Sequence, residues 1–148
     1  MINKNTYCVR NFPPCNELNY INTSAFEDTN QFKILYVGVI SEERSIIKIL
    51  DAIENIECEF ILAGNFSPNN LHEVAKNHIS WKIVRYLGYI DRKEFSIILR
   101  EADLGILLFQ PIEAHIESLP NKMFEYMAGG LYQLSSNFRE WKEIIEEN

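Results

Sequence analysis

The sequence feature that most constrains the fold is a fivefold alternation of short apolar runs with amphipathic segments, which begins at Phe32. The runs are nearly continuous in apolar residues, a pattern typical of strands that are covered on both faces of a sheet. We therefore predict five strands, the last of them the most weakly marked: residues 32–39, 59–64, 82–88, 104–109 and 131–135.

Helical patterns separate these runs. Asp91 with Glu94 matches a capping box, and Gly129 with Gly130 suits the C-terminal cap of a helix. Strand–helix alternation of this kind predicts a doubly wound, parallel α/β sheet of Rossmann-like type with at least five strands. The predicted helices cover residues 45–55, 69–77, 91–101, 120–128 and 138–147.

The first 31 residues have a different character. They are rich in Asn, Thr, Ser and Pro and show no sustained apolar period. We predict a linker or lead-in segment there, with one short strand near residues 7–9. Residues 32–148 then form the predicted folded domain, and this length suits a single domain.

Composition excludes several classes of function. The formal net charge of −7 argues against a nucleic-acid partner, although it permits one local cationic pocket. No apolar run approaches the ~20 residues of a membrane helix, and the amino terminus lacks the apolar core of a signal peptide. The three cysteines show no metal-site spacing. These observations predict a cytoplasmic protein without a metal.

Ligands of open parallel sheets bind beyond the carboxyl ends of the strands, which directs attention to the loops that follow them. The loop after the first strand carries Gly38 and Arg44 but matches neither the dinucleotide nor the P-loop pattern. Arg44 beside a helix start could bind an anion. The alternative is a solvated arginine that pairs with Glu42 or Glu43.

The loop after the fourth strand, residues 110–120, is long and leads into a helix that begins with Asn121 and Lys122. Helix amides and the Lys122 ammonium would cradle a diphosphate. The carboxylates of Glu117 and Glu125 could accept hydrogen bonds from sugar hydroxyls. The alternative is that Glu125 is a surface carboxylate and Lys122 its solvated neighbour. His115 in this loop is a further candidate, weighed against a merely solvated histidine.

Residues 117–131, ESLPNKMFEYMAGGL, resemble the E-x7-E region of the family 4 (group 1) glycosyltransferases. Residues 36–38, 41–44, 137–138 and 140–145 extend the resemblance, so that it spans residues 33–147. Residues 10–13 are similar to the segment that leads into the second domain of that family.

The resemblance implies a GT-B architecture, in which two doubly wound domains face each other across a cleft. The second domain holds a nucleotide-diphosphate sugar, and the first holds a carbohydrate or lipid-linked acceptor. Transfer of a hexose then proceeds with retention and without a divalent metal or a cofactor. This chain would be the donor-binding half and inactive alone, with peripheral inner-membrane association in the full-length protein.

The resemblance also implies roles by position. Glu117 would contact hydroxyls of the donor sugar, and Glu125 would hold the ribose hydroxyls. Lys122 and Arg44 would stabilise the charge that develops on the leaving diphosphate. Three groups of residues would complete the site: Gly38 near the diphosphate, the turn of Leu119, Pro120 and Asn121 around it, and Gly88, Tyr89 and Ile90 against the base.

Some positions depart from the family pattern. Val39 stands where an arginine is frequent, and Tyr132 with Gln133 replaces a Pro-Val pair. We also expect the family's last strand and closing helices to be missing after residue 148. If the sheet follows the usual 3-2-1-4-5-6 strand order, the fifth strand would then be an exposed edge that invites self-association. Two alternatives stay open: a non-catalytic nucleotide-binding or interaction module, and a domain like those of the sugar-nucleotide epimerases.

Overall fold

A computed structural model describes residues 31–146, and the predicted lead-in segment with its short strand therefore lies outside the described residues. The five strands are β1 (Phe32–Val37), β2 (Cys58–Ala63), β3 (Val84–Gly88), β4 (Leu104–Leu107) and β5 (Tyr132–Ser135). The helices are α1 (Ile46–Ala52), α2 (Leu71–Lys76), α3 (Arg92–Glu101), α4 (Glu113–Ile116), α5 (Asn121–Ala128) and α6 (Arg139–Glu146).

All strand pairs are parallel, in the order β3-β2-β1-β4-β5, which confirms the predicted doubly wound sheet. The chain moves outward from β1 to β3 and then crosses back to place β4 on the other side of β1. The switch point of the topology therefore lies between β1 and β4, where ligands of such sheets bind.

The core follows from burial of the central strands on both faces. Every residue of β2 from Phe60 to Ala63 is inaccessible to solvent, as is Leu35 of β1. One face is closed by α5, whose Tyr126 ring lies so near β4 that a Cβ at Gly105 would collide with it. On the same side, Leu99 of α3 occupies the space that a side chain at Gly129 would need. These contacts hold α3 and α5 together on one face of the sheet.

The caps that the sequence predicts are present. Asp91 accepts a hydrogen bond from the Glu94 amide while the Glu94 side chain accepts one from the Asp91 amide. After α5, the Leu131 amide donates to the Tyr126 carbonyl, and Gly130, at φ 72°, donates to Met127. This pattern of two bonds around a left-handed residue is a Schellman motif, and it ends the helix.

Two segments differ from the prediction. Residues 79–83 form a 3-10 helix, so β3 begins two residues after the predicted start of the strand. The predicted loop of residues 110–120 contains the short helix α4. Neither short helix could be predicted, because segments of four or five residues are too short to show a periodicity in the sequence.

The strand β5 is an edge within the part of the chain that the structure describes. It pairs with β4 alone, and its Tyr132 is 82% exposed. Leu134 on the same strand is half exposed. The predicted edge is therefore seen in residues 31–146, whereas self-association through it stays a prediction. No helix in this range is long and apolar enough to cross a membrane.

Candidate functional site

A cleft of about 480 Å³ opens at the carboxyl end of the sheet, at the switch point between β1 and β4. Residues of three segments line it: the end of β1 with the turn that follows it, the segment that follows β4, and the start of α5. The predicted site residues that line it are Gly38, Arg44, Pro120, Asn121 and Lys122. Gly38 and Lys122, which lie 84 positions apart along the chain, thus line the same cleft.

The floor of the cleft depends on two glycines. Gly38 has φ 151°, and its amide donates to the Ala63 carbonyl at 3.0 Å. A Cβ at Gly64 would collide with the Gly38 carbonyl, so the backbones after β1 and β2 approach each other closely only because Gly64 lacks a side chain. A Cβ at Gly38 would meet no atom closely, and its positive φ is the reason for glycine there.

Arg44 is held by two aromatic side chains, Phe109 and Tyr36. Its guanidinium lies 4.6 Å from the centre of the Phe109 ring and also hydrogen-bonds the Tyr36 hydroxyl. Burial raises the pKa of Tyr36 to about 12, despite the opposing influence of Arg44, so this hydroxyl stays neutral. Within residues 31–146, no carboxylate forms an ion pair with Arg44, so the predicted pairing with Glu42 or Glu43 is wrong. The positive charge of Arg44 is therefore available to the cleft.

The start of α5 supplies another part of the wall. Pro120 precedes the helix with extended backbone, and no side chain caps the first turn. The first amides of a helix have no acceptor within the helix, and they point along its axis beyond its N-terminus. Together with the Lys122 ammonium, they make this wall attractive to an anion.

Glu125 lies behind this wall and is buried. The Lys122 ammonium lies 2.5 Å from one carboxylate oxygen, and the Arg92 guanidinium bonds the other. Burial opposes ionisation of Glu125 and is the largest single influence, but hydrogen bonds and charge from Lys122 and Arg92 together outweigh it. The pKa of Glu125 therefore lies below its ordinary value, and the carboxylate is ionised at neutral pH.

Both cations also contact one aromatic ring. The Lys122 ammonium lies 4.1 Å and the Arg92 guanidinium 5.5 Å from the centre of the buried Phe95 ring. A ring face is a favourable surface for cations. The cluster of Arg92, Phe95, Lys122 and Glu125 therefore fixes the ammonium at the edge of the cleft. It contradicts the alternative of a surface Glu125 with a solvated Lys122.

Several predicted site residues lie outside the lining of the cleft. Glu117 is exposed at the end of α4, and Leu119 packs against the core. Gly88 accepts a hydrogen bond from the Gly64 amide, and Tyr89 is 77% exposed beyond it. Ile90 packs beside α3. The structure brings together the residues predicted for the diphosphate, and the roles predicted for these five residues stay predictions.

Two residues of the site were not assigned a role from the sequence: Arg92 was not predicted, and His115 was only a further candidate. Arg92 follows the capping residue of α3 and reaches Glu125 across 33 positions of sequence. His115 is only 8% exposed, and its ring packs against Phe109 and lines the cleft. No short-range pattern marks either contact, because each depends on which elements pack together. Within residues 31–146, no group of His, Cys, Asp and Glu is arranged to hold a metal ion.

Comparison with known proteins agrees with this geometry. The sequence profile of the family described as "Glycosyl transferases group 1" matches residues 21–148. A search of curated proteins finds no significant match. Solved glycosyltransferase structures share the fold at low sequence identity.

AviGT4, a glycosyltransferase involved in avilamycin A biosynthesis, superposes with a TM-score of 0.66 at 13% identity, covering 78% of this chain and 34% of its own. WaaG, a glycosyltransferase involved in lipopolysaccharide biosynthesis, gives 0.60 at 15% identity, covering 90% and 34%. HepE of Anabaena, solved in complex with UDP-glucose, gives 0.56 at 15% identity, covering 80% and 39%. The chain thus spans between a third and two-fifths of the length of these proteins. It belongs to the group 1 glycosyltransferases and has the fold of the C-terminal-type domain of their GT-B architecture.

Proposed function

We propose that this domain binds the nucleotide-diphosphate sugar from which a group 1 glycosyltransferase transfers a hexose. The acceptor is a carbohydrate or a lipid-linked sugar, held by a facing domain, and the isolated chain is inactive. The proposal is supported by the family match and by the complexes of HepE with UDP-glucose and with UDP and glucose.

The observation that carries the proposal is the charge of the cleft. Arg44 and Lys122 both line it, and no carboxylate is among its lining residues. The chain as a whole carries a net charge of −7, so this concentration of positive charge is local. A diphosphate beside the two cations and the first turn of α5 would meet several fixed donors.

The same donors supply the chemistry. When the bond between the sugar and the diphosphate breaks, negative charge develops on the departing phosphate oxygen. Lys122 and Arg44 are already oriented by Glu125 and Phe109, so they stabilise that charge without reorganising. We assign no metal and no cofactor to this step, and we propose retention at the anomeric carbon.

In this proposal the sugar is contacted by Glu117. The base is contacted by the loop of Gly88, Tyr89 and Ile90. Leu119 orients the turn before α5. Glu125 has both oxygens engaged by cations, yet each oxygen keeps a second lone pair that can accept a hydrogen bond from a ribose hydroxyl. Its first contribution, however, is to hold Lys122.

Calorimetric titration of the full chain with UDP, GDP, ADP and dTDP tests the proposal. We expect one nucleoside diphosphate to bind more tightly than its monophosphate, because the cationic cleft accommodates the second phosphate. The sugar ester of that nucleotide should also raise the melting temperature, since a ligand that binds only the folded state stabilises it. A folded sample that binds none of the four diphosphates would contradict the proposal.

One observation favours the alternative of a non-catalytic nucleotide-binding module. Val39, which stands where the family pattern often has an arginine, is half exposed at the rim and supplies no charge. An assay of sugar transfer with this chain joined to a facing acceptor domain separates the two functions. Transfer supports the enzyme, whereas nucleotide binding without transfer supports the module.

A further inference from the structure

The sheet opens at its switch point, between β1 and β4. The strand β1 pairs with β2 at six positions, from Phe32 to Val37, whereas it pairs with β4 at only two, Ile34 and Leu35. Within residues 31–146, no strand pair joins β1 to β4 beyond Leu35, although β4 stays paired with β5 along its whole length. Val37 and Gly38, which follow the last pair, line the cleft.

This opening leaves the backbone amide of Val37 without a strand partner. Alternate amides of a parallel strand point to opposite neighbours, and the Gly38 amide donates to Ala63 of β2, so the Val37 amide points to the side of β4. Its acceptor there is the hydroxyl of Tyr126, on α5, at 3.2 Å. A buried amide without an acceptor is costly, so the Tyr126 hydroxyl takes the place of the next β4 carbonyl.

The Tyr126 side chain reaches β1 because Gly105 of β4 has no side chain. A Cβ at Gly105 would lie only 2.3 Å from the Tyr126 ring, so the ring passes directly over the backbone of β4. Burial raises the pKa of Tyr126 above its ordinary range, and the hydroxyl therefore accepts the bond as a neutral group. Four residues earlier on the same helix, Lys122 lines the cleft. One helix thus carries both a cation of the cleft and the hydroxyl that fastens β1.

A second tyrosine hydroxyl fixes the turn that follows β1. Tyr36 donates to the Val39 carbonyl at 2.6 Å and accepts a hydrogen bond from the guanidinium of Arg44. The turn is therefore held at Val37 by one hydroxyl and at Val39 and Arg44 by the other. Of the two, the Tyr126 hydroxyl is the one that joins the turn to α5. A shift of α5 would be transmitted through it to the segment that carries Arg44.

We propose that Tyr126 is a positioning residue for diphosphate binding, whose hydroxyl sets the separation between Arg44 and Lys122. Tyr126 is not among the residues that line the cleft, so it acts through these two cations and not on the ligand. Hydrogen bonds from a cation to a phosphate form over a narrow range, about 2.7–2.9 Å, so both cations bind one diphosphate only at the correct separation. This inference rests on the proposed function, because it takes the cleft as the diphosphate site.

The first test is calorimetry of the full chain with UDP, GDP, ADP and dTDP, well below the melting temperature. Tyr126→Phe keeps the ring over Gly105 and deletes the hydroxyl. We expect the affinity for the diphosphate that binds to fall by about three- to tenfold, the effect of one hydrogen bond. Ser80→Ala is the matched control, because it deletes a buried hydroxyl that donates to the Leu50 carbonyl at 2.7 Å and does not line the cleft. It should lower the melting temperature and leave the affinity unchanged.

A double-mutant cycle with Lys122→Met separates positioning from a general loss of stability. A hydroxyl that sets the separation of two cations has little influence on binding once one of them is removed. In the Lys122→Met background, Tyr126→Phe should therefore lower the diphosphate affinity by less than about twofold. Losses that simply multiply in the double variant would contradict the proposed role.

Nuclear magnetic resonance of the free protein tests the hydrogen bond without a ligand. Deletion of the Tyr126 hydroxyl should shift the Val37 amide proton upfield, because that proton loses its acceptor. The Gly38 amide still donates to Ala63 in Tyr126→Phe, and its resonance is the internal control. An unchanged Val37 resonance would overturn the inference.

The results that overturn the inference differ from those that overturn the proposed function. If a diphosphate binds the unmodified chain and Tyr126→Phe binds it equally well, Tyr126 is not a positioning residue and the proposed function stands. Equal losses of affinity in Tyr126→Phe and Ser80→Ala lead to the same conclusion, because loss of stability would then account for both. Failure of all four diphosphates to bind the folded, unmodified chain would overturn both proposals.

Discussion

Glu125 and Glu101 are two carboxylates with the same kind of environment at opposite ends of the sheet. Glu125 bonds Lys122 and Arg92 at the carboxyl end, and Glu101 bonds Lys33 at 3.2 Å and Arg85 at 2.7 Å at the amino end. In each case burial opposes ionisation, the two cations outweigh it, and the pKa of the carboxyl is lowered. Similar electrostatics therefore do not by themselves indicate a functional site.

The difference lies in what adjoins each cluster. Lys122 lines the cleft at the switch point, which has no carboxylate among its lining residues. Arg85 and Glu101 line a smaller cavity of about 290 Å³ that also holds Glu94, and with Lys33 they join the start of β1, the start of β3 and the end of α3. The first cluster therefore adjoins a cationic cleft, whereas the second adjoins an acidic cavity and ties three elements together. We therefore expect loss of Glu125 to affect both stability and binding, and loss of Glu101 to affect stability alone.

The largest expected effect is that of Glu125→Ala. It leaves Lys122 without its carboxylate beside a buried ring, and breaking a buried ion pair costs about 3 kcal/mol at the lower end of the usual range. The lower end applies because the Arg92 side chain is half exposed. Urea unfolding should show this loss, and calorimetry should show weaker diphosphate binding. Unchanged diphosphate binding in a folded sample would contradict the expectation that Glu125 contributes to binding.

The next effect is that of Lys122→Met on binding. A hydrogen bond from a charged donor contributes about 2 kcal/mol, so affinity for the diphosphate should fall by roughly 30-fold. Methionine keeps the apolar stem against Phe95, and Arg92 still pairs with Glu125, so stability should change less than in Glu125→Ala. Lys142→Met, on the exposed face of α6, is the control for loss of one positive charge.

A smaller effect is expected for Glu101→Ala. Its side chain is 18% exposed, compared with 5% for Glu125, so water partly replaces the lost partner. We expect a loss of about 1.5 kcal/mol in the free energy of unfolding, the lower end for a hydrogen bond to a charged group. Diphosphate affinity should match that of the unmodified chain. A fall in diphosphate affinity in this variant would mean that loss of stability alone weakens binding. The two clusters would then not differ in function.

The smallest expected effect is on the pH dependence of the free energy of unfolding. Both carboxyl pKa values are lowered by folding. Such a group contributes stability that is fully present above its unfolded pKa, about 4.3, and is lost as pH falls through the lower folded value. Glu125→Gln and Glu101→Gln should each flatten the fall of stability below about pH 4.3 in urea titrations. A variant with the original steepness would show that its carboxylate is not stabilised by folding.

Local sequence was sufficient to predict most helices and strands, but it was not sufficient to predict the role of every residue in the site. Strands, most helices and the cap at Asp91 were predicted because each depends on residues within a few positions of one another. Gly38, Arg44 and Lys122 could be assigned to one cleft because the ends of parallel strands share an edge. Glu117 could not be judged, since its direction depends on α4, a helix too short to show a periodicity.

The sequence by itself determined the order of strands and helices, and through it the edge of the sheet where a diphosphate would bind. Only the tertiary structure decided that Glu125 is buried between Lys122 and Arg92 and that the buried His115 ring packs against Phe109 and lines the cleft. The physical reason is the distance along the sequence between the residues that interact. Hydrogen bonds within a helix or cap join neighbours in the chain, whereas ion pairs and cavities join elements that only packing brings together.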